Sequence, residues 1–370
     1  MQAKALRKTP LHAEHVRLGA KMVEFFGWDL PLHFSGGILK EHEVVRKQAG
    51  IFDVSHMGEI LLQGKDALAF ANRLLPSNVE NMKFGEICYT PMCNAAGGVV
   101  DDLLAYKIDN HQVLLVVNAS NVQKDFQWIK SQAEGFQLEV LDRSEAYAQI
   151  AVQGPAVEEM LRPFSGVCLE KIPFYSFEFG RFNGIQALVS RTGYTGEDGF
   201  EFYVEPEAAV PLWRKLIEIG AKPAGLGARD LLRFEACYML YGNELDDQTT
   251  PLEAGLKWTL DLEKDFVGRD ALLKERQGGL QKKLRGLEVI EKGGIPRHGN
   301  AILHQGKKVG TVTSGNRSPS AGKILCLGYV PASFKLGQQV DLELRENKTV
   351  KAQIIKLPFY RGSVKNKKMD

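Results

Sequence analysis

Two adjacent carboxylates follow a pair of glycines in the run Gly97-Gly98-Val99-Val100-Asp101-Asp102-Leu103-Leu104-Ala105-Tyr106. The apolar part of this run reads as a strand, and strand side chains alternate between faces. Asp101 and Asp102 therefore point to opposite faces, with Asp102 sharing its face with Leu104 and Tyr106 as the inward carboxylate. A carboxylate on an otherwise apolar face is desolvated, and its pKa rises unless it is paired. Such a group serves as a general base or an electrostatic stabiliser. The same letters also describe a plain hairpin end, because Asp commonly follows Gly-Gly at a turn.

A second constellation is Ser190-Arg-Thr-Gly-Tyr-Thr-Gly-Glu-Asp-Gly-Phe-Glu201. Its three glycines permit a tight hairpin with positive φ. Glu201 falls on the following strand between Phe200 and Phe202. A carboxylate there can accept two hydrogen bonds from a flat amidine-like edge such as that of guanine or a pterin; an exposed strand glutamate is the simpler alternative. The third is Gly225-Leu-Gly-Ala-Arg-Asp230. It lacks the third glycine and the strand–loop–helix setting of a dinucleotide loop. Arg229 sits there at the mouth of an expected helix, where an anion is favoured. The fourth is Pro358-Phe-Tyr-Arg361, an arginine beside aromatics that suits a carboxylate, or else snorkels at the surface. The histidines, including His56, have no Cys or His partner at metal-ligand spacing, so no metal is expected.

Composition narrows the class. A net charge of +2 gives no global reason to expect nucleic acid as a partner. The five cysteines are odd in number and none is paired as Cys-x-x-Cys, which fits reduced thiols. The first fifteen residues are short and mildly basic and lead into no apolar segment, so a cytoplasmic location is expected. No apolar run approaches the ~18 residues of a membrane span.

The elements that must position these residues alternate between helix and strand. Helices are expected over 41–50, 66–75, 121–133, 156–161, 211–219 and 230–240. Extended segments are expected over 51–62, 87–92, 99–108, 113–118, 149–152, 177–182, 186–190 and 200–204. No fixed-period repeat is visible. After Leu284 the long helices disappear and short alternating strands take over, which reads as a small all-β barrel or sandwich. The charged stretch 277–283 marks the boundary, and the tail 365–370 is expected to fray.

These blocks, in this order, resemble the T-protein family of the glycine cleavage system. The matching stretches are Gly19-Ala-Lys-Met-Val, Gly27-Trp, Gly50-Ile-Phe-Asp-Val-Ser-His-Met57, the Asp101-Asp102 run, the run ending at Glu201, Gly225 to Asp230, Thr313-Ser-Gly-Asn-Arg-Ser-Pro319 and Pro358-Phe-Tyr-Arg-Gly362. The resemblance covers nearly the whole chain.

It implies an α+β fold, a three-domain cloverleaf. Residues 1–55 and 144–248 would form one discontinuous domain, and 56–143 with 249–283 a second, ferredoxin-like one. Residues 284–370 would form the C-terminal β-barrel. It also implies transfer of the methylene carbon of an aminomethyl-lipoyl H-protein to tetrahydrofolate, with P- and L-proteins in the same system and no membrane or nucleic acid involved. By resemblance Asp102 lies near the reactive folate nitrogens, Glu201 binds the pterin edge, and Arg229 and Arg361 hold the p-aminobenzoyl-glutamate side. Met57, Tyr89, Tyr106, Asn118, Tyr175, Tyr194 and Trp258 would line or border the folate cavity. Family members often carry Tyr where this chain has Phe174. The lysines at 365–368 are a candidate to steer an acidic carrier. Two other readings stay open: a folate-dependent demethylase of the same superfamily, often fused to an FAD-binding dehydrogenase, and a non-catalytic folate binder. The latter carries a Lys-Gly-Cys-Tyr-type motif where this chain reads Thr192-Gly-Tyr-Thr-Gly-Glu-Asp198.

Overall fold

A computed structural model describes residues 5–345 and 348–364. The expectations for the tail, including the steering lysines, lie outside the described residues. Among the described residues the fold is mixed α+β, with a small hairpin of Lys21–Phe25 and Trp28–His33, two larger open sheets, and a closed six-stranded barrel.

The first sheet has the order Phe177–Phe182, Ile185–Ser190, Gly199–Val204, Ala148–Gln153, Gly50–Asp53, Lys222–Pro223. The second has the order Ile87–Cys93, Val99–Lys107, Gln112–Val117, Gly58–Gln63, Glu139–Asp142. Each grows from the same β-α-β-β-β-α-β succession, read from Ala148 in one and from Gly58 in the other. The second sheet keeps the 4-1-3-2 neighbour order of a ferredoxin-like unit, with Ile87–Cys93 added at its edge. The first differs because Gly50–Asp53 inserts between Ala148–Gln153 and Lys222–Pro223. This internal likeness is one of topology and leaves no periodic trace in the sequence.

The segment 51–62, expected as one extended piece, is two strands serving two sheets. Ile51 pairs with Val152 of the first, and Leu61 pairs with Leu114 of the second. The break falls at Val54-Ser55-His56-Met57, where Asp53 accepts bonds from the Ser55 amide (3.0 Å), Thr9 Oγ1 (2.6 Å) and His15 Nε2 (2.8 Å). An aspartate that turns the chain in this way ends a strand despite apolar neighbours.

Each sheet buries one face under helices. Trp213, Leu216 and Leu212 of helix Ala209–Glu218 pack on Ile150, Phe200 and Phe202. Phe70 and Leu74 of helix Ala67–Leu74, with Ile129 of helix Val122–Gln132, pack on Ile60, Leu103 and Leu115. The other faces meet through Ile87, Tyr106, Leu114, Val116, Phe177, Leu188 and Tyr203. Polar side chains on that inner face are therefore enclosed between two sheets, where desolvation is strongest. The barrel closes around Leu287, Ile302, Val312, Cys326, Leu342 and Ile354. Helix Arg269–Gly278 occupies part of the stretch taken as a linker.

Candidate functional site

Asp102 lies on the inner face of strand Val99–Lys107, where it is 9% exposed. The pairing of this strand with Ile87–Cys93 shifts register between Met92 and Cys93, leaving Val100 as an extra residue. Such bulges re-aim side chains beside functional sites. Here Leu103 and Ala105 turn to the helix-covered core, while Leu104 and Tyr106 face the junction of the two sheets. Gly98 makes the approach possible: a Cβ there would lie 1.9 Å from the Asp247 carbonyl oxygen.

Tyr89 Oη donates to Asp102 Oδ2 at 2.9 Å, and Asn118 Nδ2 donates to Oδ1 at 3.0 Å. Burial, then the neighbouring Asp101 charge, push the Asp102 carboxyl up to about 7, while the bonds from Tyr89 and Asn118 pull it down. That is a carboxyl poised to exchange a proton near neutrality.

Asp101 does point to the opposite face, but that face is not solvent. The residue is completely buried beneath helix Val122–Gln132. It accepts the Asn118 amide (3.0 Å), Asn118 Nδ2 (2.9 Å) and Asn121 Nδ2 (2.7 Å). Both aspartates are therefore inward, because the sheet is covered on both sides. Asp125 completes a cluster of three carboxyls. It is fully buried, and no N–H or O–H of the neutral or cationic neighbours reaches its oxygens. Burial, then Asp101, push its pKa up to about 11, so it carries a proton at neutral pH and shares it with the Asp101 carboxylate.

Glu201 lies on strand Gly199–Val204, 4% exposed, and accepts Thr192 Oγ1 at 2.5 Å. Burial raises its pKa, and the Thr192 bond and the Arg229 charge oppose the rise. The polar chain continues from Thr192 Oγ1 to Ser190 Oγ (2.7 Å), on to Tyr106 Oη (3.4 Å), and from there to Tyr203 Oη (2.8 Å). It joins the strand bearing Asp102 to the strand bearing Glu201 across the sheet junction. Sequence reading named Tyr106 and Glu201 but missed Ser190, Thr192 and Tyr203 as links between them. Ser190 and Thr192 already stood in the quoted glycine-rich motif.

That motif is a connection between two paired strands, with Ser190 opposite Glu201. Of its three glycines, only Gly196 has positive φ, at 80°. Gly193 is there for closeness: its Cβ would lie 1.8 Å from Gln153 Oε1. The Gly225 run also differs from expectation. Helix Leu226–Ala236 begins four residues early, so Arg229 lies inside its first turn. Gly225 and Gly227 let this helix press onto the hairpin strand Trp28–His33, with virtual Cβ contacts to Leu32 O of 2.4 and 3.2 Å. These glycines serve packing, not a phosphate.

Arg229 stacks over the Tyr194 ring, 4.9 Å from its centroid, and Tyr194 Oη donates to the Met239 carbonyl. Arg229 Nη1 is buried with no hydrogen-bond partner. A buried, unsatisfied guanidinium N–H beside a buried carboxylate is a pair that an amphoteric ligand satisfies. Trp258 stacks on Tyr89 at 5.9 Å and 27° while 53% exposed, a flat apolar platform next to Asp102. Tyr175 packs with Met57 at the sheet junction, and its ring lies 4.4 Å from that of Phe174. Asp102, Tyr89, Asn118 and Trp258 are thus in contact, as are Glu201, Arg229 and Tyr194 through charge or stacking. Arg361 stands apart: it is exposed and makes no hydrogen bond or ion pair with a described residue. Among the described residues, no group of three or more His, Cys, Asp or Glu side chains is arranged to hold a metal ion. No helix among them is long and apolar enough to cross a membrane.

Residues 11–264 match the GCVT N-terminal domain family, and residues 282–361 match the glycine cleavage T-protein C-terminal barrel domain. The chain is 48% identical over 364 residues to an aminomethyltransferase of Thermosipho melanesiensis, covering 98% of this chain and 99% of that one. It is 48% identical over 362 residues to an aminomethyltransferase of Desulfitobacterium hafniense, covering 96% and 98%. The crystal structure of glycine cleavage system aminomethyltransferase T from Bartonella henselae superposes with a TM-score of 0.91 at 34% identity, covering 97% of this chain and 99% of that one. Matches that span both the two-sheet region and the barrel establish that this chain belongs to the glycine cleavage T-protein family.

Proposed function

We propose that this protein is an aminomethyltransferase. It takes the aminomethyl group from the lipoyl arm of an H-protein, passes the methylene carbon to tetrahydrofolate and releases ammonia. The products are 5,10-methylenetetrahydrofolate and the dihydrolipoyl carrier. The observation that carries this reading is Asp102: a buried carboxyl with two donors, pushed to about 7, beside an exposed tryptophan platform.

The chemistry needs protons to move. Two folate N–H protons are lost; one goes to the departing amine and one to the sulfur. Asp102 as carboxylate accepts a proton from the attacking folate nitrogen and returns it in its acid form. Its charge also favours the positive charge that develops on the transferred carbon as the C–S or C–N bond breaks. Tyr89 and Asn118 fix the carboxyl's direction, which makes the attack a matter of position rather than encounter. Glu201 and the free Arg229 N–H suit the donor-rich pterin edge and an acceptor on the ligand, respectively. Met57, Tyr106, Tyr175 and Tyr194 enclose the aromatic body. Arg361 takes the glutamate end.

The wider reading follows from this. P- and L-proteins complete the system, the location is the cytoplasm, and the domains divide as 1–55 with 144–248, 56–143 with 249–283, and 284–370. The pairing of Gly50–Asp53 with Ala148–Gln153 supports the discontinuous first domain. Incubation with aminomethylated H-protein and tetrahydrofolate tests the function. Ammonia and methylenetetrahydrofolate in equal amounts are expected. Turnover only with a free methylated amine would favour a demethylase, and folate binding without turnover a carrier.

A further inference from the structure

After the last barrel strand, Lys348–Ile355, the chain leaves the barrel and crosses to the glycine-rich connection that carries Thr192 and Tyr194. One carboxylate fastens it there. Glu197, 4% exposed, accepts Tyr360 Oη on Oε1 (2.8 Å), and on Oε2 both the Ser363 amide (2.8 Å) and Ser363 Oγ (2.7 Å). The Asp198 amide donates back to Ser363 Oγ at 3.1 Å. Arg46 pins the other side, with its guanidinium 3.9 Å from the Tyr360 ring centroid and 3.0 Å from Glu197. The Tyr360 amide donates to the Glu235 carbonyl at 2.9 Å. Gly362 fits only as glycine, because a Cβ would lie 2.3 Å from the Gly196 carbonyl oxygen and 2.7 Å from Glu197 Oε1.

Tyr360 and Ser363, on either side of Arg361, thus both bond to the same buried acid, while Arg361 itself is exposed and has no partner among the described residues. Fixing the backbone under an arginine removes entropy that the side chain would otherwise lose on binding an anion. We propose that Glu197 is a positioning residue: by clamping Tyr360 and Ser363 it aims Arg361 at the carboxylate end of the bound folate. This rests on the proposed function.

The test is a cycle between protein and ligand. Calorimetry gives the affinities of tetrahydrofolate and of tetrahydropteroate, which lacks the glutamate, for wild type, Arg361→Ala, Glu197→Ala, Tyr360→Phe and the double variant Glu197→Ala/Arg361→Ala. Wild type should prefer the ligand with glutamate by about tenfold or more, the strength of a charge-assisted contact. Arg361→Ala and Glu197→Ala should each abolish most of that preference, and the double variant should lose no more. Tyr360→Phe, which keeps the ring on Arg46 and removes one bond to Glu197, should lose part of it. Affinity for tetrahydropteroate should stay at the wild-type value throughout. An unchanged preference in folded Tyr360→Phe and Glu197→Ala overturns the proposal, as does an equal loss for both ligands. Failure of the wild type to bind either ligand overturns the function itself.

Discussion

Tyr89 and Asp102 face each other across adjacent antiparallel strands, two residues out of direct register, with the phenol donating to the carboxylate at 2.9 Å. The bond works against burial. It stabilises the charged form that desolvation disfavours, and so sets where the carboxyl titrates.

Tyr89→Phe should therefore move the acid limb of the activity profile upward. If the carboxylate is the active form, activity rises with pH through the Asp102 pKa of about 7. Losing a donor to the charged form raises that pKa, so the midpoint in kcat/KM against pH shifts to the alkaline side, by about one unit for a bond worth ~1.4 kcal/mol. An unmoved midpoint would detach the profile from Asp102.

Asp125 should tolerate Asn far better than Ala. Its pKa of about 11 means that it is a neutral donor at pH 7, a role an amide N–H can fill. Asp125→Ala leaves Asp101 short of that donor and should cost about 1–3 kcal/mol in urea unfolding. The raised folded pKa also fixes a sign. The native state holds this proton between the unfolded value and about 11, so wild-type stability falls as pH rises through that window. Asp125→Asn should flatten that part of the pH dependence.

How much of this was legible in the chain depends on the kind of information. The burial of Asp102 and Glu201 was legible because a carboxylate among Leu, Tyr and Phe is visible in a strand pattern. The barrel was visible as a change of rhythm after Leu284. Asp125 was missed because an aspartate in an amphipathic helix reads as its wet face; only the sheet beneath makes it a buried acid. The topological likeness of the two sheets was invisible because it lies in which strands pair, not in a repeated pattern of residues, and because Gly50–Asp53 enters the first sheet beside Ala148–Gln153 from far upstream in the chain. The early start of helix Leu226–Ala236 was missed because Gly225 and Gly227 read as loop residues, whereas their purpose is contact with Leu32.

Gly98→Ala should destabilise the strand that carries Asp102. The added methyl would meet a backbone oxygen, that of Asp247, at 1.9 Å, and a backbone cannot rotate away as a side-chain end would. A loss of roughly 1–3 kcal/mol is expected from overpacking of this kind, read as a lower denaturation midpoint at unchanged slope.

Glu201→Ala should weaken tetrahydrofolate binding by about ten- to a hundredfold, since it deletes the buried carboxylate and leaves Arg229 without its charge partner. Glu201→Gln keeps the acceptor from Thr192 and should fall between the two. Calorimetry with the intact acceptor reads both; wild-type affinity in the alanine variant would remove Glu201 from the site.

The central claim is that the Asp102 carboxylate does the proton work while others hold the ligand. Single-turnover methylenetetrahydrofolate formation by Asp102→Asn, with aminomethylated H-protein and tetrahydrofolate at saturation, tests it most directly. The rate constant should fall by about 10²–10⁴-fold, with tetrahydrofolate affinity within a few-fold of wild type. A rate close to wild type, or a loss explained entirely by lost folate binding, would contradict it.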